Sequence, residues 1–163
     1  VFKHFPGHGS ARADSHKGVT DISATWSERE LSPYRSALGR PGQRMVMTGH
    51  LFPAGLDPAF PATLSPSVIN GLLRGRLGYD GVVVTDDLQM DAIAAEYTLE
   101  EVVLRAIGAG ADILLFGNNL EYDPAIVAKV QAVIVRAVED GTISRARLEA
   151  SWRRILKLKQ QMS

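Results

Sequence analysis

Gly81-Val82-Val83-Val84-Thr85-Asp86-Asp87 is the stretch whose reading decides the fold. A short β-branched run ends abruptly in paired carboxylates. Continuous apolar runs of this length, bounded by turn residues such as Gly78-Tyr79-Asp80, are expected of strands covered on both faces. Two other runs read the same way, Met45-Val46-Met47 and Ile113-Leu114-Leu115-Phe116. A buried strand that delivers an acid at its C-terminal tip is how many α/β enzymes place a catalytic group.

Working outward, β-then-α units repeat along the chain. The first strand is expected at Val1 to Phe5. A glycine-containing loop to Trp26 follows, and then a helix from Glu28 to Leu38 with Ser27 as N-cap and Glu30 at the capping-box position. The second strand, Arg44 to Thr48, leads through Pro53, Pro58 and Pro61 to a helix from Pro66 to Leu77, capped by Ser65. The third strand, Gly81 to Thr85, is followed by a short helix over Asp91 to Ala95. A longer helix then runs from Thr98 to Ile107, with Thr98 and Glu101 as a capping box. The fourth strand, Asp112 to Phe116, is followed by a helix from Pro124 to Glu139 capped by Asp123. The last helix starts at Ser144 and runs to Lys159, with Leu148, Trp152, Ile155 and Leu158 on one face.

Strands alternating with helices imply a parallel sheet with right-handed crossovers. A complete (β/α)8 barrel needs roughly 250 residues. Four βα units in 163 residues therefore read as the C-terminal half of a TIM-type barrel, a single partial domain over 1–163. Val1 is no initiator residue and falls inside a strand, so an N-terminal half is expected upstream. An open half-barrel exposes two strand edges and its inner face. Its expected partner is that N-terminal half or another copy of the chain.

Composition sets the broad class. The chain is 45% hydrophobic and 22% charged, as ordinary globular proteins are. Lys and Arg (18) balance Asp and Glu (18), which argues against a dedicated nucleic-acid binder. The absence of cysteine rules out disulfides and thiolate metal sites and fits a reducing compartment. No apolar stretch approaches the ~20 residues of a membrane helix, and no signal peptide is visible. Neither nucleic acid nor membrane is an expected partner.

The chemistry-bearing residues follow the strands. Asp86, nearest the strand, reads as the reactive carboxylate and Asp87 as a structural one, against the simpler alternative that one of them caps the next helix. All four histidines, His4, His8, His16 and His50, lie within the first 50 residues. A metal site is not expected. Pro6, Gly7 and Gly9 oppose the helix that would align His4 with His8, and no Glu stands between them in the zincin manner. Asp14-Ser15-His16 sets an acid two residues before an imidazole, which it could orient. Lys3 and His4, at a strand end, suit hydroxyl or carboxylate recognition. His50, in Met47-Thr48-Gly49-His50, is a candidate for touching a ligand, for supporting a residue that does, or for a turn.

Together, Lys3-His4-Phe5-Pro6-Gly7-His8-Gly9, Asp14-Ser15-His16 and Thr85-Asp86-Asp87-Leu88-Gln89-Met90 resemble glycoside hydrolase family 3, in its bacterial β-N-acetylglucosaminidase branch. Met47-Thr48-Gly49-His50 and Pro61-Ala62-Thr63-Leu64-Ser65 are similar as well. The resemblance spans nearly the whole chain, and the Asp-Ser-His ending of the first motif distinguishes this branch. It implies a retaining β-N-acetylhexosaminidase that removes terminal N-acetylglucosamine from peptidoglycan-derived aminosugars in the bacterial cytoplasm, without cofactor. Asp86 would be the nucleophile, forming a covalent glycosyl-enzyme. His16, oriented by Asp14, would be the general acid/base in place of a second carboxylate. Lys3, His4 and His50 would form the sugar-binding set. Thr85 stands where the branch commonly has Ser. The sugar-binding Asp and Arg of the family's first half-barrel have no counterpart here, so the chain alone is not expected to turn over substrate.

Three other readings compete. The chain could be a non-catalytic sugar-binding or assembly fragment, or the intact protein could be a phosphorylase, because a neutral imidazole base repels incoming phosphate less than a carboxylate does. A metal-dependent hydrolase using His4, His8 and Asp86 is the third.

Overall fold

The computed structural model describes residues 1–12, 18–38, 45–119 and 122–162. Its centre is a four-stranded parallel sheet of β1 (Phe2–Phe5), β3 (Met45–Thr48), β5 (Val82–Asp87) and β6 (Ile113–Leu115), hydrogen-bonded in that order. Strand order follows chain order, as in consecutive staves of a barrel. A two-stranded parallel ribbon of β2 (Thr20–Asp21) and β4 (Leu51–Phe52) sits beyond the C-terminal ends of β1 and β3 in the chain path. The α/β class and the partial barrel are thus as expected.

The β-branched run behaves as a doubly covered strand. Val82, Val83, Val84 and Thr85 are all buried. Val83 belongs to a core that also holds Phe5, Val46, Leu64, Ile69, Leu73 and Ile93. A second apolar cluster packs Val103 and Ile107 of α3 (Leu99–Ala109) against Ala137 of α4 (Ile126–Glu139) and Ile143.

Helix ends repeat some expectations and correct others. Thr98 and Glu101 form the full capping box of α3, and Ser144 Oγ accepts the Arg147 N–H at the start of α5 (Arg145–Gln160). Ser27, by contrast, makes no side-chain cap. The segment after it is a 3-10 turn over Glu28–Leu31 that passes into α1 (Ser32–Leu38), and Glu30 is engaged elsewhere. Asp123 caps a turn at Ala125 N–H (2.8 Å), and α4 starts later than expected, at Ile126. The helix after Ser65 is wound wide, as a π-helix over Ser67–Arg76, with Leu77 N–H reaching Leu72 O at 2.9 Å. Its buried residues, Val68, Ile69, Leu72 and Leu73, recur every four positions, a spacing that suits this winding and the ordinary one alike. Between β5 and α3 lies the short α2 (Asp91–Ala94). The strand start expected at Arg44 falls outside the described residues, and Trp152, expected on a packed face of α5, is 62% exposed. Among the described residues no helix is long and apolar enough to cross a membrane.

A buried carboxylate ties the layers together at the N-terminal end of the sheet. The Asp112 side chain has no solvent exposure. It accepts the Val83 N–H of β5 (3.0 Å), Arg74 Nη2 of the π-helix (2.8 Å), and Ser151 Oγ (2.6 Å) and Arg154 Nη1 (3.3 Å) of α5. Arg147 anchors the same helix by donating to Ile107 O (2.9 Å) and Ala111 O (2.6 Å). Removing one partner of such a cluster strands the other charges in a poorly solvated place. Asp112→Ala is expected to cost about 3–5 kcal/mol of folding stability, with Asp112→Asn costing less. Urea unfolding followed by circular dichroism measures both.

Candidate active site

The C-terminal ends of β1, β3 and β5 bring together Lys3, His4, His50 and Asp86 of the groups singled out from the sequence. Both strands that carry polar site residues are locally out of step with a neighbour. From Val84 to Asp87, β5 uses one residue more than β6 does between their partners Ile113 and Leu115. From Phe2 to Phe5, β1 does the same against β3, between Val46 and Thr48. Such extra residues bend a strand and re-aim a side chain. Here they fall beside Asp86 and His4. Where the β5–β6 ladder is interrupted, the Thr85 hydroxyl accepts the Leu115 N–H at 2.9 Å. A serine hydroxyl could do the same, which makes the Thr-for-Ser difference chemically mild.

Asp86 is 18% exposed in its side chain. Its Oδ1 accepts the Asp87 N–H at 2.9 Å, and its Oδ2 faces His4 Nε2 at 3.5 Å. The carboxylate therefore has one oxygen fixed by backbone and one beside an imidazole. The neighbouring acid is placed differently. Asp87 Oδ1 accepts N–H groups from Gln89 (3.0 Å) and Gly117 (2.9 Å). A Cβ at Gly117 would collide with the Asp87 carboxylate, so glycine is required for this close approach. Asp87 stitches the tip of β5 to the end of β6, and Asp86 lies beside His4.

His4 is held below the ordinary imidazole value of 6.5, chiefly by burial, with the nearby Asp86 charge opposing and Lys3, His8 and His50 adding to the depression. Its ring meets that of His8 edge-on, with centroids 5.7 Å apart. Lys3 is exposed on β1. Asp14 and His16 lie outside the described residues. Among the described residues no three His, Asp or Glu side chains converge as metal ligands would.

His50 departs from the sugar-contact expectation. It is 1% exposed, and both ring nitrogens are engaged within the chain. Nδ1 lies 3.0 Å from Thr63 Oγ1, and Nε2 lies 2.8 Å from the Asp87 carbonyl. The reason is its place just past β3, where the chain turns under the tip of β5. Burial lowers its pKa below 6.5, against the Asp87 carbonyl and the Asp86 and Asp87 charges.

Three residues with local roles were not legible in the sequence. Glu30, read as a capping residue, reaches back to the turn of β1, where its Oε2 accepts the Gly9 N–H at 3.3 Å. Gly7, at φ +131°, leaves room for it, since a Cβ there would strike Glu30. Trp26 donates from Nε1 to Pro6 O at 3.1 Å. Thr63 supports His50. Only the Pro-Gly-His-Gly composition hinted that this turn needed a close neighbour.

Comparison with known proteins follows the same lines. Residues 1–158 match the glycosyl hydrolase family 3 N-terminal domain. The chain belongs to glycosyl hydrolase family 3. It is 36% identical over 154 residues to a beta-hexosaminidase of Aromatoleum aromaticum, a match covering 92% of this chain and 41% of that protein. Among solved structures, a family 3 β-N-acetylglucosaminidase from a Paenibacillus species superposes with a TM-score of 0.88 at 43% identity, over 98% of this chain and 30% of that one. The β-N-acetylglucosaminidase of Thermotoga maritima gives 0.83 at 33% identity, over 96% of this chain and 33% of its own. The chain thus spans well under half the length of these family 3 relatives.

The two depressed histidines give the fold a pH dependence of definite sign. Between their folded values and 6.5, the unfolded chain binds more protons than the folded one. Stability is therefore fully present above about pH 6.5 and declines as pH falls through that window. Urea midpoints across about pH 5 to 7.5 should show the decline, and His50→Gln should flatten part of it.

Proposed function

We propose that the intact protein containing this chain is a retaining β-N-acetylhexosaminidase that releases terminal β-linked N-acetylglucosamine from peptidoglycan-derived aminosugars. The observation that carries the reading is the Asp86 carboxylate, presented at the C-terminal end of β5 with one oxygen held by the Asp87 N–H and the other beside His4 Nε2, its side chain 18% exposed. Membership of family 3 and the names of the relatives, beta-hexosaminidase and β-N-acetylglucosaminidase, support the substrate class.

In this reading a carboxylate oxygen of Asp86 bonds to the anomeric carbon as the glycosidic C–O bond breaks. The His16 imidazolium, oriented by Asp14, gives its proton to the departing oxygen. Water then attacks the anomeric carbon, loses a proton to neutral His16 and displaces Asp86, so configuration is retained. Lys3, exposed beside the site, and His4, against Asp86, are the candidates for sugar hydroxyls.

Two measurements on the intact protein test these roles. Asp86→Ala should abolish release of nitrophenol from an aryl N-acetyl-β-glucosaminide, and near-normal turnover would remove the nucleophile assignment. His16→Ala should lower kcat by about 100- to 10,000-fold on substrates with poor leaving groups. Activated aryl groups, which need little protonation, should suffer far less. Equal losses on both would count against the acid role.

A further inference from the structure

The buried imidazole under β5 is the group left over once the reacting residues are named. Its hydrogen-bond inventory is unusually constrained. A carbonyl oxygen only accepts, so His50 Nε2 carries a proton and donates it to Asp87 O at 2.8 Å. In the neutral ring, Nδ1 is then an acceptor facing Thr63 Oγ1 at 3.0 Å. That hydroxyl has one proton and faces two acceptors, Nδ1 and Gly49 O at 2.9 Å, so it serves one of them at a time while keeping the main chain beside His50 in the same chain of contacts. His50, Thr63, Thr85 and Gly49 are all buried. A ring with both nitrogens occupied and 1% exposure has no atom to offer a sugar.

The far end of this chain of contacts is the proposed nucleophile. Asp87 accepts four hydrogen bonds. Its carbonyl accepts from His50 and from Met90 N–H (3.1 Å), and its carboxylate accepts from Gln89 and Gly117. Its remaining backbone group, the N–H, points at Asp86 Oδ1. Orientation of that N–H follows from how the rest of the residue is held.

We propose that His50 is a positioning residue for Asp86: by holding the Asp87 carbonyl from beneath, it fixes the backbone whose N–H aims the Asp86 carboxylate. The role rests on Asp86 being the nucleophile. Thr63, against Nδ1, completes it by fixing the ring angle, the tautomer being set by the Asp87 carbonyl. Loss of the ring leaves the carbonyl with Met90 alone, inside a stretch of β5 already interrupted by an extra residue. A displacement of the order of 1 Å at an attacking oxygen is enough to cost about 100-fold in rate.

The test is the kinetics of the intact protein on an aryl N-acetyl-β-glucosaminide, with thermal melting of each variant. His50→Ala should lower kcat about 100-fold with KM changed less than about threefold. His50→Gln, whose amide N–H can still reach the Asp87 carbonyl, should recover kcat to within about tenfold. A His50→Ala enzyme that chiefly raises KM would return His50 to sugar contact and overturn the proposal. So would one whose kcat is unchanged while Asp86→Ala is inactive, or a loss of kcat that Gln does not relieve. If Asp86→Ala itself turns over, the nucleophile reading fails first and takes this role with it. Should His50→Ala not fold, Thr63→Val decides: kcat about five- to tenfold lower at unchanged KM supports the role, and unchanged kcat overturns it.

Discussion

Asp112 carries a carboxylate into a place with no solvent exposure, and β5, the π-helix and α5 all donate to it. A buried charge of this kind is tolerable only while its partners stay where they are. The requirement works in both directions. Arg74, Arg147 and Arg154 are themselves largely covered, and each needs the acid or a nearby carbonyl. The N-terminal end of β5 is thereby fixed in height and rotation against a helix from the far end of the sequence. Parallel α/β folds keep such fastening at one end of the strands and their chemistry at the other. The tip of β5, with Asp86 and Asp87, inherits its position from this base.

At the upper end the same economy of groups recurs in neutral form. Backbone N–H and C=O groups do most of the holding: Asp87 N–H on Asp86, Gly117 and Gln89 N–H on Asp87, the Asp87 carbonyl on His50. Two adjacent acids end up with opposite fates because of what surrounds them. Asp87 meets inward-pointing N–H donors and becomes structure. Asp86 meets one N–H donor and one imidazole, and is left partly exposed.

The β-branched runs and the glycine turns between them made the parallel sheet legible, because a strand covered on both faces has little compositional freedom. The expectation that Asp87 serves structure agrees with its two backbone donors, Gln89 N–H and Gly117 N–H. Helix starts are less legible. Glu30 has the spacing of a capping residue but spends its carboxylate on Gly9, a tertiary contact that no local pattern announces. His50, which follows a strand, reads from sequence as a ligand contact, a support or a turn residue, and the chain turns there and buries it. Asp112 looked like an ordinary strand entry. Its three arginines come from distant positions, so only the folded chain reveals why an acid stands there.

The extra residues in β1 and β5 bear on how such a site can change over time. In a regular strand, the face on which a side chain emerges is settled by counting in twos. In these two strands the count is broken beside His4 and Asp86. A single-residue deletion in either strand would restore regular pairing, improve the ladder and send the polar group to the wrong side. Selection for stability and selection for chemistry therefore pull on chain length in opposite directions at these two points. Lineages that retain the chemistry should tolerate substitutions around the offsets far better than they tolerate the loss of one residue.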